Sequence, residues 1–443
     1  MGSAASTQPA DLPTAINTFG SHLFDHVAGH QADPGDGLFL SPYGIAQALA
    51  MVLNGAEPGG ESYRQLQSAV YGGGPQGDGL ALEALNAQLK QLSASLVKPP
   101  SEDLTVSDAN SAWLAQRYQL LPEYAQALKA VFGTAAQPLT SADAVNSWVL
   151  EATHGKIKSI VDQQAVAKAT LILINAIYFK GLWLHQFKKT ATHGMDFYPL
   201  SHSAAPRQVA AMFQTFKGPS AVQVAMLPVK AGGASFAAGA VQLPYRGGEY
   251  YAVVAAPRGE LSSEAAQNGQ RGLVTPSGLV PYGEALTACR QQVLANLPAA
   301  GSGNASSSPW SVPNADVKVF LPRQAFEIEY STSLSRSLQA LGIRKPFEGG
   351  DLTRIAAEPG GAAVADLQVS DVVHKVYAKV DEEGTEAAAA TAVIMVRSMM
   401  PRPRDEIELR FDRPFAFAVV HGPSGLALFS GEVHSPEEWN GQA

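Results

Sequence analysis

Cysteine is nearly missing from this chain: Cys289 is the only one among 443 residues. No internal disulfide can form, no multi-cysteine metal site can assemble, and a reducing compartment is allowed. Charge is sparse too, at 16% of residues, and its balance is acidic. The 31 Lys and Arg against 39 Asp and Glu leave a net charge of −8. That argues against nucleic acid or an anionic membrane as the main partner. Long apolar runs are absent. The most apolar stretch, 169–179, is far shorter than the ~20 residues a helix needs to cross a bilayer, and it reads as a buried strand. The first residues, MGSAASTQPADLP, have neither the charged region nor the apolar core of a secretory signal. A cytoplasmic location is therefore expected, with unconventional export left open. The same residues fit Met-Gly-x-x-x-Ser through Gly2 and Ser6, a short match to the myristoylation pattern in a merely small, polar stretch.

Signatures of catalysis are missing as well. There is no G-x-S-x-G, no H-E-x-x-H, no Walker loop and no paired Cys/His cluster. Ser424 in HGPSG comes nearest, with the wrong spacing for a nucleophile elbow. Gly72, Gly74 and Gly77 satisfy G-x-G-x-x-G, but Pro75 interrupts it and no βαβ unit or downstream ribose acid supports it. No enzyme activity, metal or cofactor is expected.

What is present is apolar substance: 46% of residues are hydrophobic, enough for a large core. Length alone would allow about three domains at ~150 residues each, yet nothing divides the chain into equals. Helical periodicity marks 15–30, 42–54, 61–71, 80–96, 123–131 and 142–152, then 286–297 and 332–341. Strand patterns mark 103–114, much of 209–258, 318–329, 406–420 and 426–433, with hairpin character around Gly247 and Gly248. Between 259 and 313 the composition shifts, and AAGSGNASSSP reads as flexible linker.

The stretch 380–401, VDEEGTEAAAATAVIMVRSMMP, organises the rest. Alanine propensity alone would make Glu386 to Ala392 a helix turn. Alternation suggests a strand instead: Thr385, Ala387, Ala389, Thr391, Val393 and Met395 share one face, and Glu386 lies on the other. The first face is small near Gly384 and grows more apolar along the chain. Such a segment could enter a sheet from its glycine end, since nothing bulky or charged has to be buried early.

EEGTEAAAATA resembles the reactive-loop hinge of inhibitory serpins. Further motifs follow in that family's order: LFLSPYGIAQALAM, NSWVLEATHGKI, LINAIYFKGLW, VQLPYRG, VFLPRQAFEIEY, LGIRKPF, DVVHKVYAKVDEEGT and FDRPFAFAVVHGPSGLALFSGEV. The resemblance spans nearly the whole chain. It implies an α+β fold with three β-sheets, eight or nine helices and an exposed reactive-centre loop. It also implies one domain over 1–443, with 259–313 partly a flexible insertion and 380–403 as hinge and loop.

The resemblance also carries functional residues. Glu382, Glu383, Gly384, Thr385, Glu386, Ala387, Ala388, Ala389, Ala390 and Thr391 form the hinge. Ser41, Asn175 and His374 fall where the family places polar residues beneath the strands that part to admit the loop. Gly44 departs from a position that usually carries a hydroxyl, which implies an altered network. Trp183 falls near the top of the central sheet. Counting Glu382 as the first residue, the usual reactive bond follows the seventeenth, at Ser398–Met399. A minority pattern cuts one residue earlier, at Arg397–Ser398, and Arg397 favours it as the only basic residue between Glu386 and Arg402. Arginine suits the acidic specificity pocket of trypsin-like proteases. The expectation is a monomeric suicide inhibitor that ends covalently bound to its target protease. Alternatives are an inhibitor of Arg-specific cysteine proteases, or a non-inhibitory chaperone, carrier or storage protein.

Overall fold

The apolar run read as a buried strand forms the spine of the molecule. In the computed structural model the described residues are 11–30, 37–73, 79–97, 101–217, 222–266, 269–297, 308–323, 330–362, 364, 366–378, 380–385, 405–436, 438, 439 and 441. Gly2 and Ser6, the expected hinge residues Glu386 to Thr391, and the expected reactive-bond residues Arg397, Ser398 and Met399 lie outside them.

Strand β5 (Leu171–Leu182) is buried on both faces for most of its length. A continuous Leu/Ile run is what a strand covered on both sides requires. One face joins the core containing Leu173, Ile177 and Phe179, against helices α1 (Leu12–His30) and α2 (Pro42–Gly55). The other, with Ile172, Ile174 and Ala176, packs on Val145 and Val149 of α6 (Ala142–Ala152). The strand's neighbours are β2 (Leu104–Ala115), antiparallel, and β18 (Val369–Ala378), parallel. Strands β16 (Tyr330–Ser333) and β4 (Gln137–Leu139) complete the order β16-β18-β5-β2-β4, and β19 (Gly384–Thr385) pairs with β5 off that path.

Two more large sheets surround this one. Seven strands run in the order β1 (Gly37–Leu40), β22 (Leu426–Val433), β21 (Phe415–His421), β10 (Tyr250–Arg258), β9 (Ala234–Pro244), β8 (Gln223–Ala231), β14 (Trp310–Ser311). Four run β20 (Glu406–Arg410), β15 (Asp316–Pro322), β7 (Arg207–Phe216), β6 (His193–Phe197). The expected hairpin joins β9 to β10, and Gly247 and Gly248 turn it with φ of 86° and 75°, a region that favours glycine.

Small additions go beyond the three sheets and eight or nine helices implied. Strands β11 (Leu261–Ala265), β12 (Arg271–Thr275) and β13 (Gly278–Pro281) form a sheet of their own, and β17 (Ala356–Ala357) pairs with β3 (Gln119–Leu120). Among the described residues there are ten α-helices, the others being α3 (Glu61–Val70), α4 (Leu82–Leu96), α5 (Pro122–Phe132), α7 (Gln163–Lys168), α8 (Tyr282–Ala295), α9 (Ser335–Ala340) and α10 (Lys345–Glu348). Within 259–313 the described residues carry three short strands and α8, with Leu273, Val280, Tyr282 and Leu286 buried against the seven-stranded sheet, while AAGSGNASSSP, read as linker, lies almost wholly outside the described residues. The helix expected over 332–341 begins only at Ser335, since Tyr330–Ser333 pairs with β18. The strand read over 318–329 ends at Pro322 among the described residues.

Candidate functional site

One rung of polar side chains crosses the central sheet. The strand register sets His374 beside Asn175 and Asn175 beside Asn110. The Ser41 backbone N–H donates to His374 Nε2 at 3.0 Å, so that nitrogen carries no proton. The imidazole proton therefore sits on Nδ1, which donates to Asn175 Oδ1 at 2.7 Å. Asn175 Nδ2 donates in turn to Asn110 Oδ1 at 2.8 Å and to Asp108 Oδ1 at 3.2 Å. Asn110 Nδ2 donates to the same Asp108 oxygen at 2.9 Å. From below, Ser41 Oγ accepts the Gly44 N–H at 3.1 Å and caps α2, with Pro42 at its first position. A Cβ on Gly44 would overlap the Asn175 amide. Glycine here makes room for the asparagine, a physical reason for the missing hydroxyl.

Burial holds His374 down to about 3. It pushes Asp108 up to about 7, against hydrogen bonds from Asn110, Asn175 and Tyr43. The two groups oppose one another in acid. Folding excludes a proton from His374 that the unfolded chain takes up below its ordinary 6.5, so that stability is lost as pH falls from 6.5 towards 3. Folding retains a proton on Asp108 that the unfolded chain releases above its ordinary 3.8, so stability is gained as pH falls from 7 towards 3.8. Asp108→Asn removes the gain alone. The variant should lose stability on acidification from pH 6.5 to 4 with an extra slope of up to about 1.4 kcal/mol per pH unit. Urea midpoints at three pH values measure the difference, and parallel pH profiles for the two proteins would refute the pairing.

The second half of the site is where β18 leaves its partner. The two strands stay paired up to Ala378 and Phe179. The chain then turns, and Gly384 and Thr385 come back antiparallel against Leu182 and Gly181 of β5. Leu104 of β2 holds the other side of Gly181, so β19 lies on the side that β18 has vacated. The Asp381 carboxylate closes the turn, accepting the N–H groups of Glu383 at 3.0 Å and Gly384 at 3.2 Å. A Cβ on Gly384 would overlap the Gly181 carbonyl. Only glycine permits that approach. Extending this register by two residues would set Ala387 beside Phe179, whose edge Ala378 already occupies.

Trp183 and the chain after it grip the turn. The fully buried indole donates from Nε1 to the Asp381 carbonyl at 2.9 Å and stacks on Tyr245, centroids 4.5 Å apart. Backbone N–H groups of Trp183 and Phe187 donate to the carbonyls of Glu383 and Glu382. The buried Glu382 carboxylate accepts the Thr192 hydroxyl at 2.7 Å, with Arg323 3.8 Å away. Lys189 pairs with Glu383 at 2.5 Å.

The match to known proteins covers almost the whole chain. The family model for serpins, serine protease inhibitors, matches residues 14–274 and 281–436. The chain belongs to the serpin family. Among its relatives, the leukocyte elastase inhibitor of Sus scrofa is 31% identical, covering 96% of this chain and 99% of the relative. Iripin-3 of Ixodes ricinus is also 31% identical, covering 96% and 94%. Serpin48 of Tenebrio molitor superposes with a TM-score of 0.71 at 22% identity, covering 98% of this chain and 100% of that one. Uncleaved ovalbumin gives 0.70 at 24%, covering 96% and 100%. The structures establish the α+β serpin fold. The gap within the family match, 275–280, spans the last residue of β12, the turn after it and most of β13.

In this serpin the predicted Ser41, Asn175 and His374 meet in one network, while Trp183 stands with Glu382, Glu383 and Gly384 at the top of β5. Sequence reasoning missed Asp108, Asn110, Thr192 and Tyr245. Asp108 and Asn110 had left a signal, two polar residues at alternate positions on one face of a strand otherwise rich in small and apolar residues. Among the described residues no three His, Cys, Asp or Glu side chains gather as a metal site. No described helix is long and apolar enough to cross a membrane.

Proposed function

We propose that this serpin is a suicide inhibitor that traps its protease by drawing the cleaved loop between β18 and β5. The observation that carries this reading is the parallel pairing of those two strands, with β19 already antiparallel at the mouth between them. A strand entering there would be antiparallel to both neighbours and would gain a hydrogen-bond ladder on each side. Its entry requires His374 to release Asn175. The protease forms an acyl-enzyme at the loop. Insertion of ~14 residues at ~3.3 Å each then carries it roughly 45 Å before hydrolysis completes. The product is a covalent complex of one serpin and one protease.

Arg397–Ser398 is the reactive bond in this reading, and a trypsin-like serine protease the target class. The elastase named by the mammalian relatives favours a second reading: cleavage at Ser398–Met399 would present Ser398, which fits a small specificity pocket. Incubation with trypsin and with elastase, followed by denaturing gel electrophoresis, separates the two. A band at the summed mass with trypsin, and a released peptide beginning at Ser398, is the expected result. Arg397→Ala should abolish the trypsin complex and leave the thermal midpoint unchanged. A peptide beginning at Met399 would overturn the bond assignment, and cleavage without any stable complex would overturn the inhibitor reading.

A further inference from the structure

We propose that a hollow at the C-terminal root of the loop binds a phosphate- or sulfate-type oxyanion. The hollow has a volume of about 370 Å³ and lies between the end of β10 and the outer edge of β20, the strand into which the loop runs. Three arginines are among its lining residues, Arg258, Arg410 and Arg413. This is a basic concentration in a chain of net charge −8.

The backbone adds donors. Among the described residues β20 pairs only with β15. Asp316 donates to the Asp405 carbonyl and Phe411 to that of Phe320, so the odd-numbered residues of this stretch face β15. The peptide groups of Glu408 and Arg410 therefore point away from β15, towards the hollow. Arg258 Nη1 donates to the Glu408 carbonyl at 2.8 Å, which fixes that direction. The N–H groups of Glu408 and Arg410 have no backbone acceptor among the described residues.

Two carboxylates also line the hollow, and both are engaged. Glu408 accepts from Arg410 Nε at 3.2 Å and Asp412 from Arg413 Nε at 2.8 Å. Arg413 Nη1 further donates to the Gly259 carbonyl at 3.1 Å, and the Arg410 guanidinium lies 4.2 Å over the Phe320 ring. Arg258 has no carboxylate partner among the described residues. Its stem lies so close to Gly239 that a Cβ there would stand 2.7 Å from the arginine Cδ. Three cations against two anions leave one surplus positive charge around the hollow, beside the outward backbone N–H groups of β20. A compact oxyanion satisfies such a donor set. The small volume and single surplus charge do not suit a long polyanion.

The test uses the full chain and three probes: inorganic phosphate, inorganic sulfate and glucose 6-phosphate. Titration calorimetry should show saturable binding of at least one, which chloride at matched ionic strength does not reproduce. Tighter binding of glucose 6-phosphate than of phosphate would mark a group carried on a larger molecule, and the reverse a free ion. Arg258→Gln and Arg410→Gln should each weaken binding about tenfold, the loss of one charge-assisted contact. Arg246→Gln, remote and paired with Asp103, should leave it unchanged. Should Arg258→Gln impair folding, Arg258→Lys keeps the charge without the fork and should bind with intermediate affinity. Binding indistinguishable from chloride, or insensitive to Arg258 and Arg410, overturns the proposal. Neither outcome bears on protease trapping, which involves none of these side chains.

Discussion

Thr385→Arg should turn this serpin from a trap into a substrate. Gly384 and Thr385, leading residues of the proposed hinge, pair with the last residues of β5. Complete insertion would carry the face shared by Thr385, Ala387, Ala389 and Thr391 into the sheet. Every side chain on that face is small, and an arginine there asks the closed sheet to bury an unpaired cation, at a cost of several kcal/mol after relaxation. The intact protein should tolerate the change far better, because the strand is paired at its mouth alone. Folding and loop cleavage should therefore survive while insertion slows. Deacylation keeps its own rate, so hydrolysis wins the kinetic competition and the protease is released. The measurement is the ratio of complex to cleaved serpin on a denaturing gel, with thermal unfolding of the intact variant as the control for folding. Trapping at wild-type stoichiometry would mean that loop insertion is not the mechanism.

Gly44→Val should be among the most destabilising single changes outside the loop. The added Cβ would occupy the space of the Asn175 amide. Overpacking of this kind costs about 1–3 kcal/mol. Displacing Asn175 also leaves the His374 Nδ1–H without its acceptor and Asn110 Oδ1 without a donor, roughly 1–3 kcal/mol for a buried polar group. His374 and Asn110 sit where β18, β5 and β2 meet, so the strands proposed to part would be held less firmly. Amide exchange along β18 should quicken more than along β22 of the seven-stranded sheet. A urea midpoint within error of wild type would show that the rung contributes little to holding the strands together.

The sequence by itself determined more than its composition suggests. The β-branched run of β5, the glycine pair of the β9–β10 hairpin and the Ser41-Pro42 helix start are local signals with local physical causes. The alternation after Gly384 is likewise legible in the chain alone, as side-chain period and size gradient, and the proposal of loop insertion starts from it. Ser41, Asn175 and His374 could be named from the family resemblance, though 134 and 199 positions separate successive members. Only the tertiary structure decided what those residues do to one another. The proton on His374 Nδ1 follows from Ser41 approaching Nε2. Gly44 is intelligible once Asn175 is seen occupying its missing side chain. Asp108 joins the rung because β2 pairs with β5 in one particular register. Ordered strands in 261–281 were illegible for a related reason: Gly- and Ser-containing segments form strands there because an apolar surface contributed by distant residues lies beneath them. Contacts made across hundreds of residues leave little trace in any one stretch of the chain, since the energy that selects them belongs to the pair.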